Sequence, residues 1–214
     1  MPFHDTAHET EAGMSDVIAA LAARHSQYAL AGTSVLADDK VVDLVKRATA
    51  VVPSAFNSQS QRVAVLFGEE HRRLWNSIAL EALRKVAVSE EAFAATTRKV
   101  GSFAAAHGTV LYFDDTGITD GLARKFPLYA ANFPIWAEQS SGMLQLAVWT
   151  AFSEAGLGAS LQHYNPLIDD GVREAFSIPA SWRLIGQMPF GDVVTPSPSK
   201  DSVPVDERVL VRGL

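Results

Sequence analysis

With 214 residues, 48% of them hydrophobic and 20% charged, the chain suits one compact domain. A formal net charge of −6 withholds the basic surface that nucleic-acid binding needs, so an anionic ligand must be met by locally concentrated positive charge. The absence of cysteine excludes disulfides, thiolate nucleophiles and sulfur-ligated metal, and favours a reducing cytoplasm as the compartment. The opening MPFHDTAHETEAG reads as a loose polar leader over residues 1–13, without the cationic start and apolar run of a secretory signal. The most apolar stretch, Met143 to Phe152, is too short to span a bilayer, so neither a membrane nor a nucleic acid is expected as a partner.

In chain order, a helix is expected from Ser15, a favourable N-cap, with Val17, Ile18, Leu21 and Ala22 on one face. A second follows Asp38-Asp39, with Val41, Leu44, Val45 and Ala48 at helical spacing, and stops before Pro53. RVAVLF (62–67), bounded by Gly68, predicts a buried strand. Helical patterns over Glu69–Val86 and Ser89–Ala106 lead to a strand over TVLYFDD (109–115). Helix-like residues 119–129 precede an aromatic loop, NFPIW (132–136). Glu138 to Ala155 is apolar on nearly every side, which predicts a central buried helix. Strand-like SLQHY, a short helix after Pro166 and the strand WRLIGQMPFG follow; TPSPSKDSVP is a loop, and ERVLVRG a last short strand. Four or five strands flanked by helices imply an α+β fold in a single domain over residues 14–214.

Two polar corners carry chemistry. RHSQYAL puts Arg24, Ser26 and Tyr28 on the turn after the first helix. A guanidinium fits phosphate oxygens in bidentate fashion and a hydroxyl adds a donor, although Arg24 and Ser26 equally suit the cap of a helix C-terminus. PSAFNSQ puts Ser54, Asn57 and Gln59 on the next turn; amides there suit the edge of a heterocycle, or simply shape a helix–strand connector. GLGASLQHY is no dinucleotide fingerprint, because Leu161 stands where the third glycine belongs and a helix precedes it. Its glycines are expected to end the long helix, with Gly156 left-handed.

In this order the motifs resemble the FMN-dependent nitroreductase family, and within it the nitroreductase-like, or fatty-acid-repression-mutant, subgroup. The likeness runs through NSQSQRVAVLFGEEHRRLW (57–75), EQSSGMLQLAVWTAF (138–152), GLGASLQHYNPLID (156–169) and SWRLIGQMPFG (181–191), covering roughly residues 14–212. Where the wider family often reads QPW, this chain has Gln59-Ser60-Gln61. The resemblance implies a central mixed or antiparallel sheet flanked by helices, in an intertwined homodimer completed by exchanged tail strands. It implies FMN held noncovalently by Arg24, His25, Ser26 and Tyr28, with Arg208 closing on the phosphate. Ser54, Asn57 and Gln59 would reach the flavin of the other copy, and Gln162, His163 and Tyr164 would lie along the ring. His163 also suits a satisfied buried histidine, and Arg208 an ordinary strand residue. Ping-pong chemistry is implied, with NADH or NADPH as reductant and nitroaromatics or quinones as acceptors. Tyr129, Phe133 and Trp136 could wall the acceptor pocket or belong to the core.

No side chain stands out as a catalytic acid, as expected where the cofactor carries the chemistry. His4 and His8 form a pair without a third metal ligand, and Asp114-Asp115 and Asp169-Asp170 suit turns and caps. No metal is expected. G-x-S-x-G, P-loop and HExxH motifs are missing, which removes hydrolase, NTPase and zincin readings. The rivals are a flavin-binding regulatory or stress-sensing protein with little turnover, a dehalogenating or flavin-degrading enzyme on the same fold, and a cofactor-free scaffold.

Overall fold

The computed structural model describes residues 16–198 and 200–213; the leader, Ser15 and the His4/His8 pair lie outside them. A first helix, α1, spans 16–23. Its apolar residues Val17 and Ile18 are exposed, so this chain alone leaves that face uncovered. After the short strand β1 (Ala29–Leu30), α2 (Asp38–Val51) buries Val41, Leu44 and Val45, as its spacing dictates. A 3₁₀ turn at Ala55–Asn57 leads into β2 (Gln61–Phe67). Gly68, at φ +54°, turns the chain into α3 (Gly68–Arg73), which passes through a π-helical turn, Leu74–Ala79, into α4 (Leu80–Val86). Helix α5 (Glu90–Ala104) starts at Ser89, whose side chain accepts from the Ala92 N–H.

Strand β3 (Gly108–Asp115), helix α6 (Thr116–Lys125) and a 3₁₀ stretch, Pro127–Asn132, lead to the long helix α7 (Phe133–Glu154). The aromatic run is therefore no loop: Phe133 to Trp136 form the first turn of α7, with Pro134 in the place where its missing N–H costs nothing. Helix α7 ends at Gly156, left-handed at φ +85° as expected. Then come β4 (Gly158–Ala159), α8 (Asp169–Ala175), β5 (Trp182–Gly191) and β6 (Val193–Thr195).

The main sheet is antiparallel throughout, in the order β2-β3-β5-β4; β1 and β6 form a separate pair. Alternation along β3 builds two cores. Val110 and Tyr112 face α2 and α7, packing with Leu144, Val148 and Phe152, while Leu111 and Phe113 face Leu74, Trp75, Phe103 and Val172. Each of these buried side chains contributes about 1.5–3 kcal/mol of transfer free energy, so the sheet is clamped from both faces.

Two strands expected from sequence are shortened or lost. Of SLQHY, only a bridge between Gln162 and Gln187 continues the pairing. The tail forms a 3₁₀ turn at Val205–Glu207 and no strand, with Val209, Leu210 and Val211 exposed. A lone extended segment has no ladder to join, since strand hydrogen bonds require a neighbour.

Candidate active site

The turn after α1 and the tail converge on one cleft of about 890 Å³, lined by Arg24, His25, Ser26, Lys200, Ser202 and Arg208 among others. Among the described residues no carboxylate lines it, and none of its three cations forms an ion pair. The Arg24 guanidinium lies over the Trp149 ring, 4.3 Å from its centroid, and its buried Nε has no hydrogen-bond partner. Buried polar atoms are nearly always satisfied, and among the described residues this Nε has no acceptor. Lys200 escaped the sequence reading because it lies in a Pro/Ser-rich loop with no pattern to mark it.

His25 lies on the rim. Gln27 Nε2 donates to His25 Nε2 at 3.0 Å, which assigns the proton to Nδ1, the donor to the Ala23 carbonyl at 2.9 Å. Gln27 also ties the turn to the tail, its Oε1 accepting from the Ser197 N–H at 2.8 Å. Tyr28 lies just before β1, half exposed and outside the cleft lining.

The turn's backbone reaches the edge of the sheet: the Gln27 N–H donates to the Ala159 carbonyl at 2.9 Å. Gly158 permits the approach, since a Cβ there would sit 2.7 Å from Leu30 Cδ2 and 3.0 Å from Gln27 Cβ. Beyond β4, Gln162 exchanges both backbone bonds with Gln187, at 2.7 and 2.9 Å. The N–H groups of Leu161 and His163 therefore point away from β5, and among the described residues they find no acceptor. Gln187, fully buried, also accepts from the Tyr164 N–H at 2.8 Å and holds this segment in place. The Tyr164 ring goes into the core against Trp75 and Phe103, and burial raises its pKa above the usual tyrosine value. Only its backbone faces the edge. The His163 side chain is exposed, which removes the buried-histidine alternative.

Ser54, Asn57 and Gln59 lie elsewhere. Asn57 and Gln59 line a second cleft, of about 820 Å³, between α2 and β2, with Lys46, Val63 and Trp182 on its walls. Three residues of this turn have positive φ: Phe56 at 56°, Asn57 at 48° and Gln59 at 48°. The Ser54 hydroxyl accepts from the Gln59 N–H at 2.9 Å, and Gln59 Nε2 donates to Asn57 Oδ1 at 3.1 Å. Arg62 Nη1 fixes the Gln59 carbonyl at 2.7 Å while Nη2 pairs with Asp115 at 3.1 Å. Ser54 thus shapes the turn and does not line the cleft.

Phe56, which the sequence reading passed over, joins this turn to the aromatic segment. Its ring stacks on Trp136 (centroids 5.6 Å, planes 22° apart) and meets Phe126, Tyr129 and Phe133 at 5.1, 6.1 and 5.3 Å. Phe133 is buried inside that cluster; Phe56 and Tyr129 remain about half exposed. Arg24, Ser26 and Arg208 thus share one cleft, whose turn is tied to β4 through Gln27 and Ala159, while Asn57 and Gln59 line another, next in the chain to Phe56 and its neighbours Tyr129 and Trp136. The two clefts share no lining residue.

Among the described residues, no helix is long and apolar enough to cross a membrane, and no group of three or more histidines or acids is placed to hold a metal. The Nitroreductase family is matched over residues 21–192. The nitroreductase FRM2 of Saccharomyces cerevisiae is 36% identical over 154 residues, spanning 70% of this chain and 75% of that protein. The nitroreductase CinD from Lactococcus lactis, solved with chloramphenicol, superposes with a TM-score of 0.84 at 40% identity, covering 92% of this chain and all of that one. The same protein solved with 4-nitrophenol superposes at 0.83. A crystal structure of a nitroreductase from Saccharomyces cerevisiae follows at 0.73 and 31% identity, covering 84% and 96% of the two chains. This chain belongs to the nitroreductase family and is an oxidoreductase.

Proposed function

We propose that the protein is an FMN-dependent nitroreductase, with NADH or NADPH as reductant and nitroaromatics or quinones as acceptors. The observation that carries this reading is the cleft where three cations converge, with no carboxylate on its walls and no acceptor for the buried Arg24 Nε among the described residues. A phosphate monoester carries about −1.5 to −2 charge near neutrality and three acceptor oxygens. Arg24, Lys200 and Arg208 answer the charge; the Ser26 and Ser202 hydroxyls add donors. The residues fit the group.

Bound there, FMN supplies two-electron chemistry, oxidising the nicotinamide and reducing the acceptor in alternate half-reactions. The protein's part is binding, orientation and exclusion of water. The outward N–H groups of Leu161 and His163 offer donors to the polar edge of a ring laid along β4, next to the phosphate cleft. Gln162 and Gln187 keep that edge rigid. Placement within about 1 Å matters because positioning alone lowers a barrier by several kcal/mol.

Asn57 and Gln59 lie in a different cleft of the same chain, which favours a homodimer in which each copy's turn completes the flavin site of the other. Phe56, Tyr129 and Trp136 then wall the space where a flat acceptor stacks. CinD, solved with two nitroaromatic compounds, supports that acceptor class. The lack of cysteine fits the cytoplasm as the place of action.

An anaerobic absorption spectrum tests this. Purified with FMN supplied, the protein should be yellow, bleach on adding NADH or NADPH, and regain its colour with a nitroaromatic, turnover being sustained. A colourless protein overturns the reading. Bound FMN that is reduced only sluggishly would favour a sensing role instead. Deleting the tail from Asp206 onward should loosen both the dimer and the cofactor.

A further inference from the structure

A half-buried arginine usually owes its position to a carboxylate. Among the described residues Arg24 has none: its guanidinium rests on the indole of Trp149, 4.3 Å from the ring centroid. The difference has an electrostatic consequence. A carboxylate in contact attracts a guanidinium and repels an incoming phosphate by the same Coulomb interaction. An aromatic face attracts the same cation through its quadrupole, more weakly, while adding no net charge. The guanidinium is pinned and its charge stays unspent.

Trp149 is well placed for this. It lies on α7, packed against the core cluster that contains its neighbours Val148 and Phe152. A long arginine side chain loses rotamer entropy when fixed. If the ring fixes it before the ligand arrives, less of that cost falls on binding.

We propose that Trp149 is a positioning residue for an anionic phosphate group, acting through Arg24. It holds the guanidinium by a cation–π contact so that the phosphate meets an oriented, unneutralised donor. This deepens, and rests on, the reading of the cleft as the seat of the FMN phosphate.

FMN and riboflavin differ by that phosphate alone, so the ratio of their dissociation constants isolates the effect. Both are titrated by flavin fluorescence against the cofactor-stripped protein. Wild type should prefer FMN. Trp149→Leu should cut the preference about tenfold, near the middle of the cation–π range, while leaving riboflavin affinity unchanged. The aromatic series Trp149, Trp149→Tyr and Trp149→Phe preserves packing and should lower the preference in that order. In an Arg24→Ala background, changes at Trp149 should leave the ratio unmoved, because two residues that act as one unit are not additive. A preference independent of the residue at 149, or a loss shared equally by both flavins, overturns the proposal and leaves the flavin reading standing. A wild type that does not distinguish FMN from riboflavin removes both.

Discussion

The Arg24 cleft and the Ser54–Gln59 turn both carry polar groups, and they spend their polarity in opposite ways. Around Arg24 the charges are unpaired among the described residues: three cations, no carboxylate, and a buried Nε without a partner. Around Asn57 the polar groups satisfy one another, Ser54 with Gln59 and Gln59 with Asn57, on a backbone held at three positive φ angles. The first is a site defined by electrostatic demand, the second by shape. Positive φ at a residue as large as Phe56 costs on the order of 1 kcal/mol and persists only where the surroundings impose it. Four aromatic neighbours do so here.

Both regions rest on one scaffold, and acid should affect it most. His71 is buried, its Nδ1 bonded to the Thr109 hydroxyl at 2.9 Å and its Nε2 to the Ala104 carbonyl at 3.2 Å. Trp75 Nε1 donates to the same Thr109 oxygen. Burial lowers the His71 pKa from 6.5 to about 4. The folded protein thus keeps His71 neutral where the unfolded chain takes up a proton. The resulting stabilisation is complete above pH 6.5 and lost as pH falls toward 4, by up to about 3 kcal/mol. Urea midpoints at pH 7 and pH 4.5 measure the loss, and the slope should be shallower in His71→Asn. An equally steep slope in that variant would count against this origin.

The two regions should then part company. Arg24→Ala should weaken FMN binding about 10- to 100-fold, the loss of a charge-assisted contact of roughly 1.5–3 kcal/mol. Wild-type FMN affinity should decline with added salt, and the decline should be shallower in the variant. Unchanged affinity would place the phosphate elsewhere. Phe56→Ala, in the shaped region, should raise KM for a nitroaromatic severalfold, about 1 kcal/mol of aromatic contact, and leave the FMN-to-riboflavin preference alone. A shift in that preference instead would join the two regions into one. Smallest of all, Tyr28→Phe should change FMN affinity by no more than about 0.5 kcal/mol, since its side chain lies outside the cleft. A tenfold loss would return Tyr28 to the cofactor.

Local pattern explains most of what was legible. The strand-like run of β3 and the helical spacing in α2 each depend on a residue and its near neighbours, and both were read correctly. Arg24 and Ser26 were singled out for a chemical reason: they stand together in the chain, and donors so placed match a phosphate. Phe56 was missed because a phenylalanine in a turn is unremarkable until four rings from residues 126–136 surround it. Gln187 was missed because a glutamine within an apolar strand shows its role only once Tyr164 and Gln162 are brought beside it. The NFPIW run was misread as a loop, since Asn and Pro mark a helix start as readily as a turn.

The amino-acid sequence alone determined the strands β2, β3 and β5 and the left-handed Gly156, because each is written in short-range spacing, and its motifs carried the family resemblance. The long helix α7, expected to be buried on nearly every side, is buried along one face, with Ile135, Met143 and Leu146 about half exposed in this chain. Only the tertiary structure decided that Lys200 and Arg208 meet Arg24, that Trp149 lies beneath the guanidinium, and that Asn57 faces a different cleft. These contacts join residues up to 184 positions apart in the chain. Such closures are settled by which faces the sheet and helices bury together, and no local pattern encodes that choice.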